Sequence, residues 1–461
     1  KIQNFVSIFG MLDILAFVIN SILIVFTVWL FFRFYGLKIC KNLYDSSTIV
    51  ITILSVLLGT SFSSYEISSN YHTSKSIDSN KLQLIEKFFY YAILINSFLI
   101  SPIITEYKHI TEKKENTQVQ PLIQVDEETT FIINLKKTIS NQMSYYSIVL
   151  IIINLSFCFS FLFEKQFTLS NCFSNLSLCA NTYGLFLYAY STGYGFICFW
   201  MRLLSNTYPI NQLRKYLIFY GEVGNDNEED EPSNYLFSKC DEYYEKFTLQ
   251  IYANDRHLAI KMKIKQILIF IFGSFMVCFW FVFEFAGLEQ VSIFQKILSR
   301  TKSNAINQII SFVWISLITF ISSYELTYIN NKSLYAKIFH LEDYKFIPKK
   351  TSSSTFGHWS MYIQRLTPSI AYRWQLFSGA KNTTILNIMV AKNTFFKEIC
   401  NMSLWMIFTV IVCAIFFFAT DDTKLDEQGI QKGLTKYKNK GNVRNNTILD
   451  YYIVHNRLIP F

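Results

Sequence analysis

The sequence carries little charge for its length, since only 16% of its 461 residues are Asp, Glu, Lys or Arg. A soluble chain carries about 25%, so this composition excludes an ordinary soluble protein. Hydrophobic residues make up 51% of the chain, and aromatic residues alone make up 18%. The deciding feature is then continuous apolar length, because a helix needs about 20 apolar residues to cross a bilayer core.

Motifs of known chemistry are also missing. The sequence has no nucleophile elbow, no phosphate-binding loop and no zinc motif. Its nine cysteines include no Cys-x-x-Cys pair, and its six histidines show no metal-ligand spacing. We therefore predict no enzyme, no catalytic residue, no metal and no cofactor. The basic residues, with a net charge of +9, are dispersed between apolar segments, so we expect them to face anionic lipid and not nucleic acid.

The sequence does contain many long apolar runs. The runs do not alternate in polarity, so they predict helices and not the strands of a barrel. A further segment, 356–379, is weaker because it contains Arg365, Pro368 and Arg373, and we interpret it as a helix buried among others or as a re-entrant segment. The predicted fold class is all-α, a polytopic membrane protein with about nine transmembrane helices. The stronger runs lie at roughly 5–32, 48–66, 85–105, 145–163, 180–201, 266–287, 306–329 and 400–419.

The connections between these runs suggest an orientation. Lys and Arg are concentrated in alternate connections, and such connections face the cytosol. We expect the amino terminus outside and the carboxyl terminus in the cytosol, in a plasma membrane or an endomembrane. Apolar residues recur every three or four positions in the longest polar part, which predicts a helical hairpin in the cytosol. The predicted domains are 1–202 with membrane helices one to five, 203–265 with the hairpin, 266–420 with helices six to nine, and 421–461 as a mobile cytosolic tail.

Two kinds of modification are predicted on the outer side. Cys172 and Cys179 lie in one predicted outer loop. Because the outside is oxidising, a disulfide between them is one hypothesis, and two free thiols are the alternative. Asn175 and Asn382 belong to glycosylation sequons that are also predicted to face outside.

The residues AYSTGYGF at 189–196 allow two interpretations. A potassium filter needs a preceding pore helix and a polar exit, whereas this stretch lies inside an apolar run and is followed by more apolar residues. We therefore interpret its glycines as small residues where neighbouring helices approach closely. Positions predicted to allow close packing or a helix bend are Gly184, Gly193, Gly195, Pro102 and Pro368.

Polar residues inside the apolar runs are the remaining functional candidates, since burying them in a membrane is costly. Arg365 is the strongest, because the nearby Pro368 frees a backbone carbonyl that needs a donor. The alternative for Arg365 is that it caps this region without any ligand. The alternative for the other residues is pairing with one another or reaching interfacial water. The candidate ligand-lining residues are Asp13, Asn181, Glu284, Arg365, Thr367 and Arg373.

The stretch CANTYGLFLYAYSTGYGF (179–196) resembles the limb-region-1-like (LMBR-like) multipass membrane proteins. These proteins have a similar Ala-Asn-Thr-aromatic-Gly-Leu-Phe-Leu run before Gly-Tyr-Gly. The resemblance spans roughly 1–420, but Cys198 and Trp200 replace an acidic residue and a proline of the family pattern. Other stretches that match in the same order are LIEKFFYYAILINSFLISPIITEY (84–107), NQLRKYLIF (211–219) and MYIQRLTPSIAY (361–372).

This resemblance implies a receptor-like protein or a signalling regulator that acts by binding partners, because the family is associated with ligand uptake and with modulation of receptor signalling. The alternative that it implies is a transporter of a small solute or lipid, since other relatives are linked to lysosomal cobalamin export. The expected partners are the bilayer, a cytosolic or membrane protein bound at 211–262, and a small-molecule or lipid ligand. Asp13, Glu284 and Arg365 would line a transport path.

Overall fold

The computed structural model is helical throughout its described residues, with no strand among them. These residues are 2–37, 42–71, 79–116, 127–164, 169–222, 231–252, 256–285, 293–301, 303–327, 346–380, 383–384, 406–415, 427–441 and 447–455. The α-helices are α1 (Ile2–Tyr35), α2 (Leu43–Leu57), α3 (Ser63–Ser69), α4 (Ser79–Ile95), α5 (Ser101–Asn116), α6 (Glu127–Glu164), α7 (Leu169–Ser205), α8 (Pro209–Glu222), α9 (Glu231–Tyr252), α10 (Arg256–Phe285), α11 (Ile293–Arg300), α12 (Asn304–Thr327), α13 (Ser353–Phe377), α14 (Met406–Ile415), α15 (Glu427–Gly441) and α16 (Thr447–His455). Two π-helical segments, π1 (Leu58–Phe62) and π2 (Asn96–Ile100), join α2 to α3 and α4 to α5.

Several helices of the chain are long and apolar enough to cross a membrane. Five candidate spans lie among the described residues, at Met11–Tyr35, Leu43–Ser69, Gln83–Lys113, Ile260–Phe279 and Asn304–Ser323. Their outward side chains are apolar, as with Ile22 and Leu268, which are 61% and 62% exposed. The predicted all-helical membrane class is confirmed, whereas the predicted count of nine spans is not.

Contacts between helices divide the chain into two units. The first unit comprises 1–193, 282–346 and 351–409. Helix α13 is buried along nearly its whole length there, from Ser354 to Gln375, and it packs against α2, α5 and α12. An apolar cluster beside it includes Leu58, Tyr90 and Leu185, so α13 has protein around it in place of lipid.

The second unit comprises 194–281, 347–350 and 410–461. Within it, α8, α9, α15 and α16 enclose an apolar core, and we call these four helices the helical module. Leu213, Leu217, Leu236, Tyr437 and Ile453 are buried in that core. Since α15 and α16 belong to the core, the described part of 421–461 differs from the mobile tail predicted there. Ile430, Leu434 and Tyr437 recur at helical spacing, and this spacing gives α15 one apolar face.

Helix α7 begins at Leu169, within the connection predicted as an outer loop. Cys172 and Cys179 therefore lie on one continuous helix, about 10.5 Å apart along its axis. A disulfide needs Cα atoms within about 7 Å, so the predicted bond between these two cysteines is wrong. Asn175 lies on the same helix, its side chain outside the described residues, and Asn382 lies outside them altogether.

Candidate functional site

The candidate site is a set of buried polar side chains along α13, which contact several neighbouring helices and which we call the polar column. Its N-terminal end is capped twice: the Ser352 hydroxyl accepts from the Thr355 N–H at 3.2 Å, and the Glu112 carboxylate accepts from the Ser353 and Ser354 N–H groups at 3.2 and 3.3 Å. A carboxylate is favourable at this position because helix N–H groups carry partial positive charge. The polar column consists of Ser354, Ser360, Gln364, Arg365, Thr367, Ser369, Arg373 and Gln375.

A small polar cavity of about 40 Å³ adjoins the first half of the column. At its edge Asn96 Nδ2 donates to Gln364 Oε1 at 2.8 Å, and Gln364 Nε2 donates to Ser360 Oγ at 2.9 Å. Thr52 Oγ1 donates to the same Ser360 oxygen at 2.6 Å. The lining is hydroxyl, amide and apolar with no charged side chain, and its polar members are Tyr44, Ser47, Thr48, Asn96, Ser101, Thr105, Ser360 and Gln364. Such a lining offers both donors and acceptors to a neutral polar molecule or to water.

Segment π2 exposes backbone carbonyls at the middle of the column. Pro102 has no N–H to donate to the preceding turn, and a π-helical turn shifts the remaining bonds. Three successive carbonyls receive side-chain donors in compensation. Ser97 O accepts from Arg365 Nη2 at 2.7 Å and Nε at 3.2 Å, Phe98 O accepts from the Tyr145 hydroxyl at 3.3 Å, and Leu99 O accepts from the Tyr146 hydroxyl at 2.6 Å.

The Arg365 guanidinium is held by these oxygens and by aromatic rings. It also donates to the Tyr145 hydroxyl at 2.7 Å, and it lies 4.7 Å from the ring centre of Phe98 and 5.9 Å from that of Tyr183. No carboxylate of the described residues forms an ion pair with it. Cation–π contacts and carbonyls replace a counter-ion in this apolar setting, so the geometry matches the ligand-free alternative in which Arg365 caps freed carbonyls. The carbonyl that it caps, Ser97 O, belongs to π2 and not to its own helix.

The second half of the column approaches its neighbours very closely. The Thr367 hydroxyl lies 2.7 Å from Ser55 Oγ and also bonds its own helix. A Cβ at Gly59 in π1 would lie 2.8 Å from the Thr367 Cβ, and a Cβ at Gly184 would lie 2.0 Å from Ser369 Oγ. Helices π1 and α7 therefore contact α13 on either side of Pro368, where only glycine leaves enough room.

A pair of glutamates lies at the C-terminal end of the column. Glu66 accepts from Gln375 Nε2 at 2.7 Å and from the Thr384 N–H at 2.6 Å. The Glu86 carboxyl contacts the Glu66 carboxyl, and neither Glu86 oxygen receives a donor from the described residues. Both glutamates are buried, at 7% and 1% exposure. This pair was not predicted, although the sequence places one charge at the edge of the apolar run 48–66 and another at the edge of the run 85–105.

The remaining predicted ligand-lining residues lie on several helices. Asp13 is buried and accepts from Asn304 Nδ2 at 3.3 Å. Asn181 is buried on α7, where its side chain donates to the Tyr90 hydroxyl and its carbonyl accepts from Ser369 Oγ at 3.3 Å. Glu284 lies on α10, and its side chain is outside the described residues. Arg373 is fully buried, 5.2 Å from the ring centre of Tyr188.

The Gly-Tyr-Gly stretch is part of a continuous helix. Residues 189–196 are helical within α7, and Gly193 and Gly195 lie on it. A filter requires extended backbone with its carbonyls turned to an axis, so the filter interpretation is wrong. The stretch is helical, and close packing at Gly193 and Gly195 stays a prediction. Thr192 joins this stretch to α12, with its hydroxyl 2.8 Å from Ser322 Oγ.

The described residues contain no group of three or more His, Cys, Asp or Glu that could hold a metal ion. Comparison of the chain with protein families, with curated proteins and with solved structures gave no match to any of them.

Proposed function

We propose that this chain is a membrane transporter of a small, uncharged polar solute, with α13 as the helix that lines the path. The polar column supports this proposal, because a helix so polar is costly inside a membrane unit and such residues commonly mark solute or ion pathways.

The chemistry of the cavity suggests the class of solute. Its lining of hydroxyls and amides would pair with hydroxyl or amide groups of a solute, and no lining residue would neutralise a charge. A cavity of about 40 Å³ holds water, so solute passage would require helices to move. Segments π1 and π2 are suited to that movement, because π-helical turns frequently occur at functional sites in helices.

Uptake by proteoliposomes tests the proposal. Stopped-flow light scattering with glycerol, urea and glucose as probes should show faster entry of at least one probe than in protein-free liposomes. Gln364→Leu removes the amide that borders the cavity and should abolish that difference. Thr138→Val is the matched control, because the Thr138 hydroxyl is buried in α6 but bonds its own helix, at 2.8 Å from Asn134 O. Equal entry with and without folded protein, or no effect of Gln364→Leu, would contradict the proposal.

We also propose that the chain is a divergent LMBR-like protein with about nine spans, its amino terminus outside and its carboxyl terminus in the cytosol. The ordered motifs along 1–420 support the family, and the alternating Lys and Arg content of the connections supports the orientation. Glycosylation mapping in microsomes tests the orientation. A glycan at Asn331, which lies in a connection predicted to be cytosolic, would overturn it.

A second candidate function is signalling regulation through the helical module. Leu249 on α9 favours it, because this apolar side chain is 54% exposed on a module that has its own core. A photo-crosslinking residue at position 249 should then capture one protein partner in cells. The same residue at Leu268, a lipid-facing position that is 62% exposed, is the control. Identical products at both positions would contradict this candidate.

A further inference from the structure

The carboxyl groups of Glu66 and Glu86 lie in contact, away from water. Glu66 is on α3, Glu86 is on α4, and both are buried. Two negative charges in contact inside a protein repel each other strongly, so two such groups commonly hold one proton between them. The pair is therefore unlike the other carboxylates described in the chain, whose partners include lysines on the surface of the module.

The two carboxyls have unequal surroundings. Glu66 receives two donors, the Gln375 amide and the Thr384 N–H, one at each oxygen. Glu86 receives none from the described residues, and the Thr384 hydroxyl faces the pair without reaching hydrogen-bond geometry. Hydrogen bonds stabilise the ionised form of the carboxyl that accepts them. The negative charge therefore belongs on Glu66, and Glu86 needs a proton to satisfy the contact.

No cation replaces the proton in the described structure around the pair. Gln375 on α13 and Thr383 and Thr384 beyond it are neutral, and Thr383 Oγ1 donates to Gln375 Oε1 at 2.8 Å. Arg373, a charged member of the polar column, contacts the rings of Tyr188 and Phe377. The described ion pairs involve other carboxylates.

We propose that Glu86 and Glu66 form a proton-binding site, in which Glu86 carries the proton and donates it in a hydrogen bond to the Glu66 carboxylate. On release, the O–H bond of Glu86 breaks, the proton passes to water, and two carboxylates are left in contact. Their repulsion then favours movement of α3 or α4 away from α13, against which both helices pack. The site links the protonation state to the packing of these two helices against α13.

Infrared difference spectroscopy of the full chain in lipid nanodiscs tests the proposal. Wild-type protein at neutral pH should show the carbonyl stretch of a protonated carboxyl, and Glu86→Gln should remove that band. Glu106→Gln is the matched control, because Glu106 is a half-buried carboxylate of the same unit that accepts from Asn141 Nδ2 at 2.8 Å. The control should keep the band. A wild-type spectrum without the band, or a band that survives Glu86→Gln, would overturn the proposal.

The two glutamine substitutions should also differ in their effect on stability. An amide introduced at position 86 can donate to Glu66 as the proton does, so Glu86→Gln should leave the thermal unfolding midpoint close to that of the wild type. An amide introduced at position 66 would turn its own N–H₂ toward one of the two donors, the Gln375 amide or the Thr384 N–H, so Glu66→Gln should lower the midpoint. Equal midpoints for the two variants would contradict the assignment of the proton to Glu86.

Hydrogen exchange supplies a readout of the helix contact. Wild-type α3 and α4 peptides should lose protection between neutral and alkaline pH, relative to Glu86→Gln at the same pH. A sodium-dependent gain of protection without the infrared band would indicate a bound cation and would overturn the proton site. None of these measurements involves solute uptake, so a failure of the transport proposal remains distinguishable from a failure of this one.

Discussion

The polar column and the helical module are held together by opposite kinds of contact. Around α13, hydroxyls, amides and a guanidinium form bonds between helices, as with Thr52 to Ser360 and Arg365 to Ser97. In the module, leucine, isoleucine and tyrosine fill the space between four helices. The first arrangement suits lipid, where apolar side chains gain nothing by leaving the solvent, and the second suits water, where they do.

Both regions use glycine where helices come closest. Gly184 allows α7 to approach α13, and Gly433 allows α15 to approach α8, where an added Cβ would lie 1.9 Å from Leu217 O. In both regions glycine therefore determines how closely two helices approach. The side chains that stabilise the contact differ between the two regions, because the surrounding solvent differs.

The largest effect should come from the module core. Leu217→Ala removes a fully buried side chain and should destabilise the module by about 2–5 kcal/mol, because it leaves a cavity as well as losing apolar burial. Denaturant-dependent hydrogen exchange of α8 and α9 peptides measures the loss. Leu268→Ala at a lipid-facing position is the control and should have little effect. Equal losses of stability at positions 217 and 268 would contradict the conclusion that apolar burial stabilises the module and not a lipid-facing helix.

Arg365→Gln should have the next largest effect. The shorter amide cannot reach Ser97 O with two N–H groups, and a buried acceptor left without a donor costs about 1–3 kcal/mol. Thermal unfolding in nanodiscs measures it. Arg365→Lys keeps the charge but loses the two-pronged donor geometry, so its midpoint should fall between those of the wild type and Arg365→Gln. If Arg365→Lys were as stable as the wild type, the positive charge at position 365, and not the pair of guanidinium donors, would account for the stability.

The charge of Lys215 should make the stability of the helical module depend on pH. Burial, with a smaller effect from the Arg202 guanidinium, lowers the pKa of Lys215 from 10.5 to about 7. The folded module therefore binds fewer protons than the unfolded chain between about pH 7 and 10.5, so its stability should rise with pH across that window, by at most about 1.4 kcal/mol per pH unit. Exchange protection of α8 at several pH values, corrected for intrinsic rates, measures the slope.

Lys215→Met should remove this slope and raise stability near neutral pH, because no buried ammonium then has to lose its proton. Lys246→Met is the control, since the Lys246 side chain is 52% exposed and should leave the slope unchanged. A slope that persists in Lys215→Met would assign the pH dependence to another group.

The smallest effect should come from single bonds of the column. Coupling between Ser55 and Thr367, measured by a double-mutant cycle of Ser55→Ala and Thr367→Val, should be about 0.6 kcal/mol, because the unfolded chain in a membrane also finds hydrogen-bond partners. Unfolding in mixed detergent micelles gives the four free energies. A coupling several times larger would mean that individual bonds, and not their number, stabilise the column.

Apolar length predicted much of this fold. The runs at 5–32 and 306–329 correspond to α1 and α12 within a few residues, because lipid-facing helices must be apolar on nearly every turn. The tail illustrates a limit of composition. Its average polarity predicted disorder, yet Ile430, Leu434 and Tyr437 fall on one face of α15, and a few such residues are enough to dock a short helix.

The site was less predictable for a physical reason. Arg365 could be singled out because a charge inside an apolar run is visible in the sequence. The oxygens that receive it, on Ser97 and Tyr145, depend on which helices are neighbours. The contact of Glu66 with Glu86 has the same origin, since each residue alone resembles a helix-end charge and only the packing of α3 and α4 against α13 brings the pair together.

The contact of Gly433 with Leu217 joins two helices that are made at very different times during translation. Helix α8 is complete at residue 222, but its partner α15 begins at residue 427, roughly 200 residues later. At translation speeds of about 5–20 residues per second, α8 waits on the order of 10–40 s for α15, whereas α9, which packs on another part of α8, follows at once. During that interval the surface of α8 around Leu217 lacks the helix that covers it. Helices α15 and α16 thus complete a core that α8 and α9 begin.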